Sequence, residues 1–262
     1  MKKFWLEIRQ QITELRELLF QTEGGDKLVW GFNSHRFEMH PVVSEEEIRL
    51  FEVKHNTRLP ENYRTFLQYC GAGGAGPQSG IDRFPEAVWP GDLSKPLDLS
   101  FYPNLDFSEG YAETENVDGP LFDLDGMLGI GHVGQADYYL VVSGTLCGNV
   151  LTWDRWNGLG FLSGRYDRWY KQWLECIYLG LKENEAMDKL QVGMNLSEIL
   201  NIPSLSVEKH FSNKNSLIYK YNKGMVELDS ENNICRISSR KSYPIGEQGF
   251  TVWSESQGKY LG

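Results

Sequence analysis

Apolar positions near the start of the chain fall at helical spacing. Phe4, Trp5, Ile8, Ile12, Leu15, Leu18 and Leu19 recur every three or four residues among Lys, Glu, Gln and Arg, and Gly24-Gly25 ends the run. The pattern predicts an amphipathic helix whose stripe packs on a core, with no cationic side to suit a membrane surface. Ser44-Glu45-Glu46-Glu47 has the capping-box form ahead of Ile48, Phe51 and Val53, so a second helix is expected there. Pro60 suits the first turn of another, in which Tyr63, Phe66 and Leu67 share one face before Gly71 stops it.

From Leu128 to Asp154 the period shortens. Tyr138-Tyr139-Leu140-Val141-Val142 and Asn149-Val150-Leu151-Thr152-Trp153 read as strands, separated by Ser143-Gly144 and Cys147-Gly148. Tyr166, Trp169, Tyr170, Trp173, Ile177 and Leu181 then return to helical spacing, predicting a long aromatic-faced helix that ends near Lys182 to Met187. Helices flanking a sheet make the class α+β. Past the charged stretch Lys182-Glu183-Asn184-Glu185-Ala186, Ser, Asn and Lys become frequent. Ser197-Glu198-Ile199-Leu200 suits one helical turn. Leu217–Tyr221, Gly224–Leu228 and Ile234–Ile237 read as a meander. The expected organisation is a main domain over 1–186 and a small β-rich extension over 187–262.

Composition narrows the function classes. Of 262 residues, 40% are hydrophobic and 13% aromatic, which excludes a disordered chain. No run approaches eighteen consecutive apolar residues, and the opening Met1-Lys2-Lys3-Phe4-Trp5-Leu6-Glu7 lacks a secretory apolar core, so a cytoplasmic location is expected. Lys and Arg number 26 against 36 Asp and Glu, a net charge of −10 that opposes binding to nucleic acid or an anionic membrane. A basic partner is favoured. The imbalance is local: residues 1–186 hold 17 basic and 28 acidic residues, whereas 187–262 hold nine and eight.

No Lys or Arg occurs from Pro96 to Asp154, a stretch with ten acids, seven of them between Asn104 and Gly126. Phe101, Tyr102, Phe107, Tyr111 and Phe122 are interleaved with these acids. Aromatic anchors among carboxylates are what a charge-steered protein interface needs. Asp106, Phe107, Glu109, Tyr111, Glu113, Glu115 and Asp118 are therefore the candidate partner-binding residues. Asp123-Leu124-Asp125-Gly126 is a fragment of a calcium loop that lacks the closing Glu.

Catalytic signatures are absent. Cys70, Cys147, Cys176 and Cys235 form no C-x-x-C pair, and His35, His40, His55, His132 and His210 form no H-E-x-x-H pair, so no metal or cofactor is expected. No G-x-S-x-G elbow occurs, and Cys70 has no neighbouring nucleophile signature. A carboxylate pair for glycoside hydrolysis has no spacing that would select it. Gly71-Ala72-Gly73-Gly74-Ala75-Gly76-Pro77 follows a helix and is not closed by Lys and Ser or Thr, so it is no phosphate loop. Gly73, Gly74, Gly76 and Pro77 are read as a structural turn.

The segment Leu59-Pro60-Glu61-Asn62-Tyr63-Arg64-Thr65-Phe66-Leu67, followed by Gly71 to Pro77, resembles the signature of the SMI1/KNR4 (SUKH) superfamily. Ser44 to Ile48 lies upstream. Gly131-His132-Val133-Gly134, Tyr139 to Gly144, Gly148 to Asp154 and Trp169 to Leu174 continue the likeness in order, over about residues 26–181. The family often has an aromatic and a Gly just after the Gly-Pro turn, where this chain reads Gln78-Ser79-Gly80. The resemblance implies an α+β domain with a mixed sheet flanked by helices, and a binding role without catalysis. Many bacterial members are immunity proteins that neutralise a cognate toxin, often a nuclease. A fungal branch implies the alternative, an intracellular scaffold or signalling module that binds a resident protein.

Overall fold

The computed structural model describes residues 1–22, 25–85, 91–98, 111–113, 124–133, 136–154, 159–188, 191, 194–195, 209–213, 216–221, 224–228 and 234–239. The chain divides into two compact units, one built on Met1–Glu23 and Gly31–Trp173, the other on Gly24–Trp30 and Leu174–Gly249.

In the first unit, α1 (Lys2–Gln21) buries Trp5, Ile8, Ile12, Leu15 and Leu19, the stripe that the apolar spacing predicts. Leu18, at the margin of that stripe, is exposed. After α2 (Gly25–Leu28), which belongs to the second unit, and the one-turn α3 (Phe32–His35), the capping box forms as its sequence dictates. The Ser44 hydroxyl accepts the Glu47 N–H at 3.2 Å and the Glu47 carboxylate accepts the Ser44 N–H at 2.9 Å, starting α4 (Glu45–Lys54). Pro60 is the N-cap of α5 (Glu61–Tyr69), which buries Asn62, Tyr63, Thr65, Phe66 and Leu67.

Arg64 ties the two helices together, paired with Glu45 and with Glu52 at 3.1 Å. Glu52 also accepts the Leu59 N–H at 3.0 Å, closing the linker between them.

Five strands follow: β1 (Tyr111–Glu113), β2 (Met127–Val133), β3 (Ala136–Val141), β4 (Asn149–Asp154) and β5 (Leu159–Arg165), in spatial order β1-β5-β4-β3-β2. The α+β class holds, but every pairing in this sheet is antiparallel where a mixed sheet was expected. Its consecutive strands β2 to β5 are joined by two, seven and four residues, too few for the crossover that a parallel neighbour requires. At Tyr166 the chain passes directly from β5 into α6 (Tyr166–Asp188).

The core of this unit is aromatic. Trp5 donates its indole N–H to the Thr65 hydroxyl at 3.1 Å, and its ring lies 5.1 Å from Phe66 and 5.7 Å from Tyr170. Tyr63 meets Tyr166 edge-on at 5.0 Å, and Trp169 lies 5.3 Å from Tyr138 of β3. Helices α1, α5 and α6 thus converge on one face of the sheet through rings in tilted and edge contacts, the geometry that aromatic quadrupoles favour.

The second unit carries a four-stranded antiparallel meander, β6 (Lys209–Asn213), β7 (Ser216–Tyr221), β8 (Gly224–Leu228) and β9 (Ile234–Ser239), paired in chain order. Three of these strands match the meander read from sequence, and β6 precedes them. Ser197–Leu200 lies outside the described residues. Among the described residues, no helix is long and apolar enough to cross a membrane.

Candidate partner-binding face

The five-stranded sheet has two unlike faces because strand side chains alternate. Tyr138, Leu140 and Val150 are fully buried toward the aromatic core. Their neighbours Asp137, Tyr139, Leu151 and Trp153 occupy the other side, where Asp137 stands opposite Trp153 and Tyr139 opposite Leu151. There Leu97, Met127, Val141 and Leu151 form a buried cluster, and Leu124, Tyr139, Leu146, Trp153 and Leu162 pack against it while remaining part-exposed. Two large aromatics, Tyr139 and Trp153, thus pack on an apolar base while remaining part-exposed.

Carboxylates gather near this face around a single lysine, Lys95. The loop at 91–98 is tied to the start of β2: Asp125 accepts the Asp92 N–H at 2.8 Å and pairs with Lys95 at 2.8 Å. Asp92 accepts both the hydroxyl and the N–H of Ser94, at 2.6 and 3.1 Å. Those bonds hold its carboxyl below the usual carboxylate range, with a smaller contribution from Lys95. Lys95 is the last cation before the 59-residue stretch Pro96–Asp154 that has none.

Of the candidate partner residues, Tyr111 and Glu113 lie on β1, the terminal strand of the sheet, opposite Phe161 and Leu159 of β5. Asp106, Phe107, Glu109, Glu115 and Asp118 lie outside the described residues. Tyr139 and Trp153 were legible only as strand residues. The signal that could have singled them out is the alternation itself, which sets both on the side away from Tyr138 and Leu140.

The glycine turn is internal scaffolding. Gly71 to Pro77 are all buried, and Gly74 bridges Met39 on one side and Ile81 on the other. Gly74 exchanges both backbone bonds with Ile81 at 2.8 Å, the Ala75 N–H reaches Glu38 at 2.8 Å, and the Gly73 carbonyl accepts the His40 N–H at 2.9 Å. Gly73 and Gly74 both have φ of 112°, and a Cβ on Gly74 would strike the Glu38 carbonyl. Only glycine fits that path. The N–H groups of Gly71, Ala72, Gly74 and Ala75 serve the chain itself and are not free to hold a phosphate.

Burial governs the titration of the cysteines of this unit and of His35. Cys70 is fully buried, and burial pushes its thiol up to about 12, so it stays protonated and un-nucleophilic at neutral pH. Burial also raises the Cys147 thiol, which donates to the Val142 carbonyl at 3.2 Å. His35 is buried and pushed down to about 4. His132 faces Asp82 at 3.5 Å on an exposed edge. Among the described residues no three His, Cys, Asp or Glu side chains converge to hold a metal ion.

A family model described as "SMI1 / KNR4 family (SUKH-1)" matches residues 42–187, more than half of the chain. No curated protein and no solved structure matches it. The matched span begins just before α4 and contains the Arg64 clamp, the glycine turn, the whole cation-free stretch and α6 up to Met187.

Proposed function

This chain belongs to the SMI1/KNR4 family (SUKH-1), a family known for immunity-protein roles, and from that premise we propose that it is a non-enzymatic, cytoplasmic immunity protein. It neutralises a cognate protein toxin by covering the toxin's basic surface. The observation that carries this reading is the absence of any Lys or Arg from Pro96 to Asp154 inside the matched span, beside a sheet face that presents Tyr139 and Trp153 on an apolar base. A nuclease must offer a basic cleft to phosphate, and a surface of opposite charge both steers toward such a cleft and occludes it.

In this reading the acids Asp106, Glu109, Glu113, Glu115 and Asp118 supply steering, while Phe107, Tyr111, Tyr139 and Trp153 supply anchors. Steering acts at long range and is screened by salt, whereas aromatic anchoring acts at contact. The testing experiment is capture with the tagged chain from lysate of its source organism, washed at low and high salt, followed by an activity assay of each captured protein. Recovery of a basic protein whose toxicity or nuclease activity the chain suppresses supports immunity. Recovery only of resident proteins, with no suppressed activity, supports the intracellular scaffold instead.

A further inference from the structure

Helix α4 is apolar on two sides. Ile48 and Phe51 are buried in the first unit, yet Leu50 and Val53, on the opposite side, are 54% and 67% exposed. At 100° per residue, Glu46, Leu50 and Val53 form the centre of the outward face, and Arg49 and Lys54 flank it. A surface helix normally fills such positions with charged or polar groups, and apolar side chains repeated on an outward face mark a contact surface. Val42, just before the helix, is also exposed, at 44%.

The charges on this face are complementary to themselves. Glu46 and Lys54 each lie four residues from Leu50, on either side of it. Glu46 holds Arg49 at 2.8 Å, but its side chain remains 64% exposed, so a second cation can reach it. Lys54 has no ion pair among the described residues.

We propose that a second copy of this chain docks on the outer face of α4, the two helices running antiparallel and crossing at Leu50. In that arrangement Leu50 meets its own counterpart and Val53 covers the flank. Glu46 of each copy faces Lys54 of the other, one helical turn from the crossing point. The two-fold axis repeats every contact, which is what a self-complementary patch requires for a closed dimer. A patch of two or three aliphatic side chains supports a weak, reversible pair rather than an obligate one. The pairing is separate from the immunity reading, because α4 lies outside the cation-free stretch.

Sedimentation equilibrium of the full chain tests this, at low salt and over about 10 μM to about 1 mM, a range that brackets weak association. The mass should rise toward twice that of the protomer. Leu50→Glu and Val53→Glu should each weaken association at least about tenfold. Both positions are exposed, so the fold should survive, as an unchanged circular dichroism melt would verify. Glu46→Lys alone should also weaken the pair, and Glu46→Lys combined with Lys54→Glu should restore it. A chain that stays monomeric throughout overturns the proposal. So does a dimer unaffected by Leu50→Glu and Val53→Glu, or a charge swap that restores nothing.

Discussion

Tyr166 and Tyr170 sit one turn apart on α6, both fully buried, yet their hydroxyls meet opposite circumstances. The Tyr170 hydroxyl donates to the Ala75 carbonyl at 2.5 Å, tying the helix to the glycine turn. That of Tyr166 has no hydrogen-bond partner among the described residues. An unpaired buried hydroxyl is a liability of about 1–3 kcal/mol, while a made bond contributes about 1 kcal/mol and strands its acceptor when removed. Tyr166→Phe should therefore leave stability unchanged or raise it, and Tyr170→Phe should lower it by about 1–2 kcal/mol, as read by urea denaturation.

His35 gives the pH counterpart. Its Nδ1 accepts the Phe37 N–H at 3.0 Å, which places the proton of the neutral ring on Nε2. Burial pushes its pKa from 6.5 to about 4, with the Gly76 backbone offsetting part of the shift. A histidine depressed in the folded state contributes stability fully present above 6.5 and lost as pH falls through about 4. The drop is about 3 kcal/mol, from about 1.4 kcal/mol per pH unit. Wild type should lose that much more stability than His35→Gln between those pH values. Equal slopes in the two melting series would show that His35 is not kept neutral.

At the scale of elements, α1 is the informative case. It precedes the family-matched span of 42–187, but Trp5, Ile8, Ile12, Leu15 and Leu19 are each at most 2% exposed, and Trp5 lies within the aromatic core. The domain therefore needs α1 to close. Trp5→Ala should cost about 3–5 kcal/mol, the range for deleting a large buried aromatic. A fragment reduced to 42–187 should lose its near-ultraviolet dichroism, and a fragment that melts like the full chain would show α1 to be dispensable.

Helices α1, α4, α5 and α6 were legible because their signals are local: an apolar stripe in α1, a capping box at Ser44, a proline at the start of α5, an aromatic stripe in α6. The four-residue α2 and α3 were not, being too short to show a period. Strands β3 and β4 were legible as well, since each carries a run rich in aliphatic, β-branched and aromatic residues, with the glycine turns Ser143-Gly144 and Cys147-Gly148 between them. Strand β5 was not, because Leu-Gly-Phe-Leu-Ser-Gly-Arg is interrupted twice by glycine and hides its alternation. β1 was hidden inside the acidic stretch, held by its pairing with β5 rather than by any pattern of its own. The antiparallel order follows from linker lengths, which become readable only when every strand has been found.

For the whole molecule, charge was the most legible property and exposure the least. The cation-free stretch can be counted directly, but the part-exposure of Tyr139 and Trp153 depends on which side of the sheet the helices cover, and that is decided by tertiary packing. The distinction bears on how a complex should respond to mutation. Neutralising Asp106, Glu109, Glu113 and Glu115 together removes long-range attraction, so association should slow from a steered rate near ~10⁸ M⁻¹s⁻¹ at low salt by about tenfold or more, with little change in dissociation. Added salt should slow wild type and leave this variant nearly unaffected. Phe107→Ala, Tyr111→Ala and Trp153→Ala should do the reverse, speeding dissociation at nearly constant association rate, because anchors act only once the surfaces touch. Stopped-flow and surface-capture kinetics against the toxin recovered by pull-down separate the two effects. If both sets of variants bind and release as wild type does, the interface lies off the acidic stretch. The immunity reading would then rest on suppression of the toxin alone, with a different surface to be found.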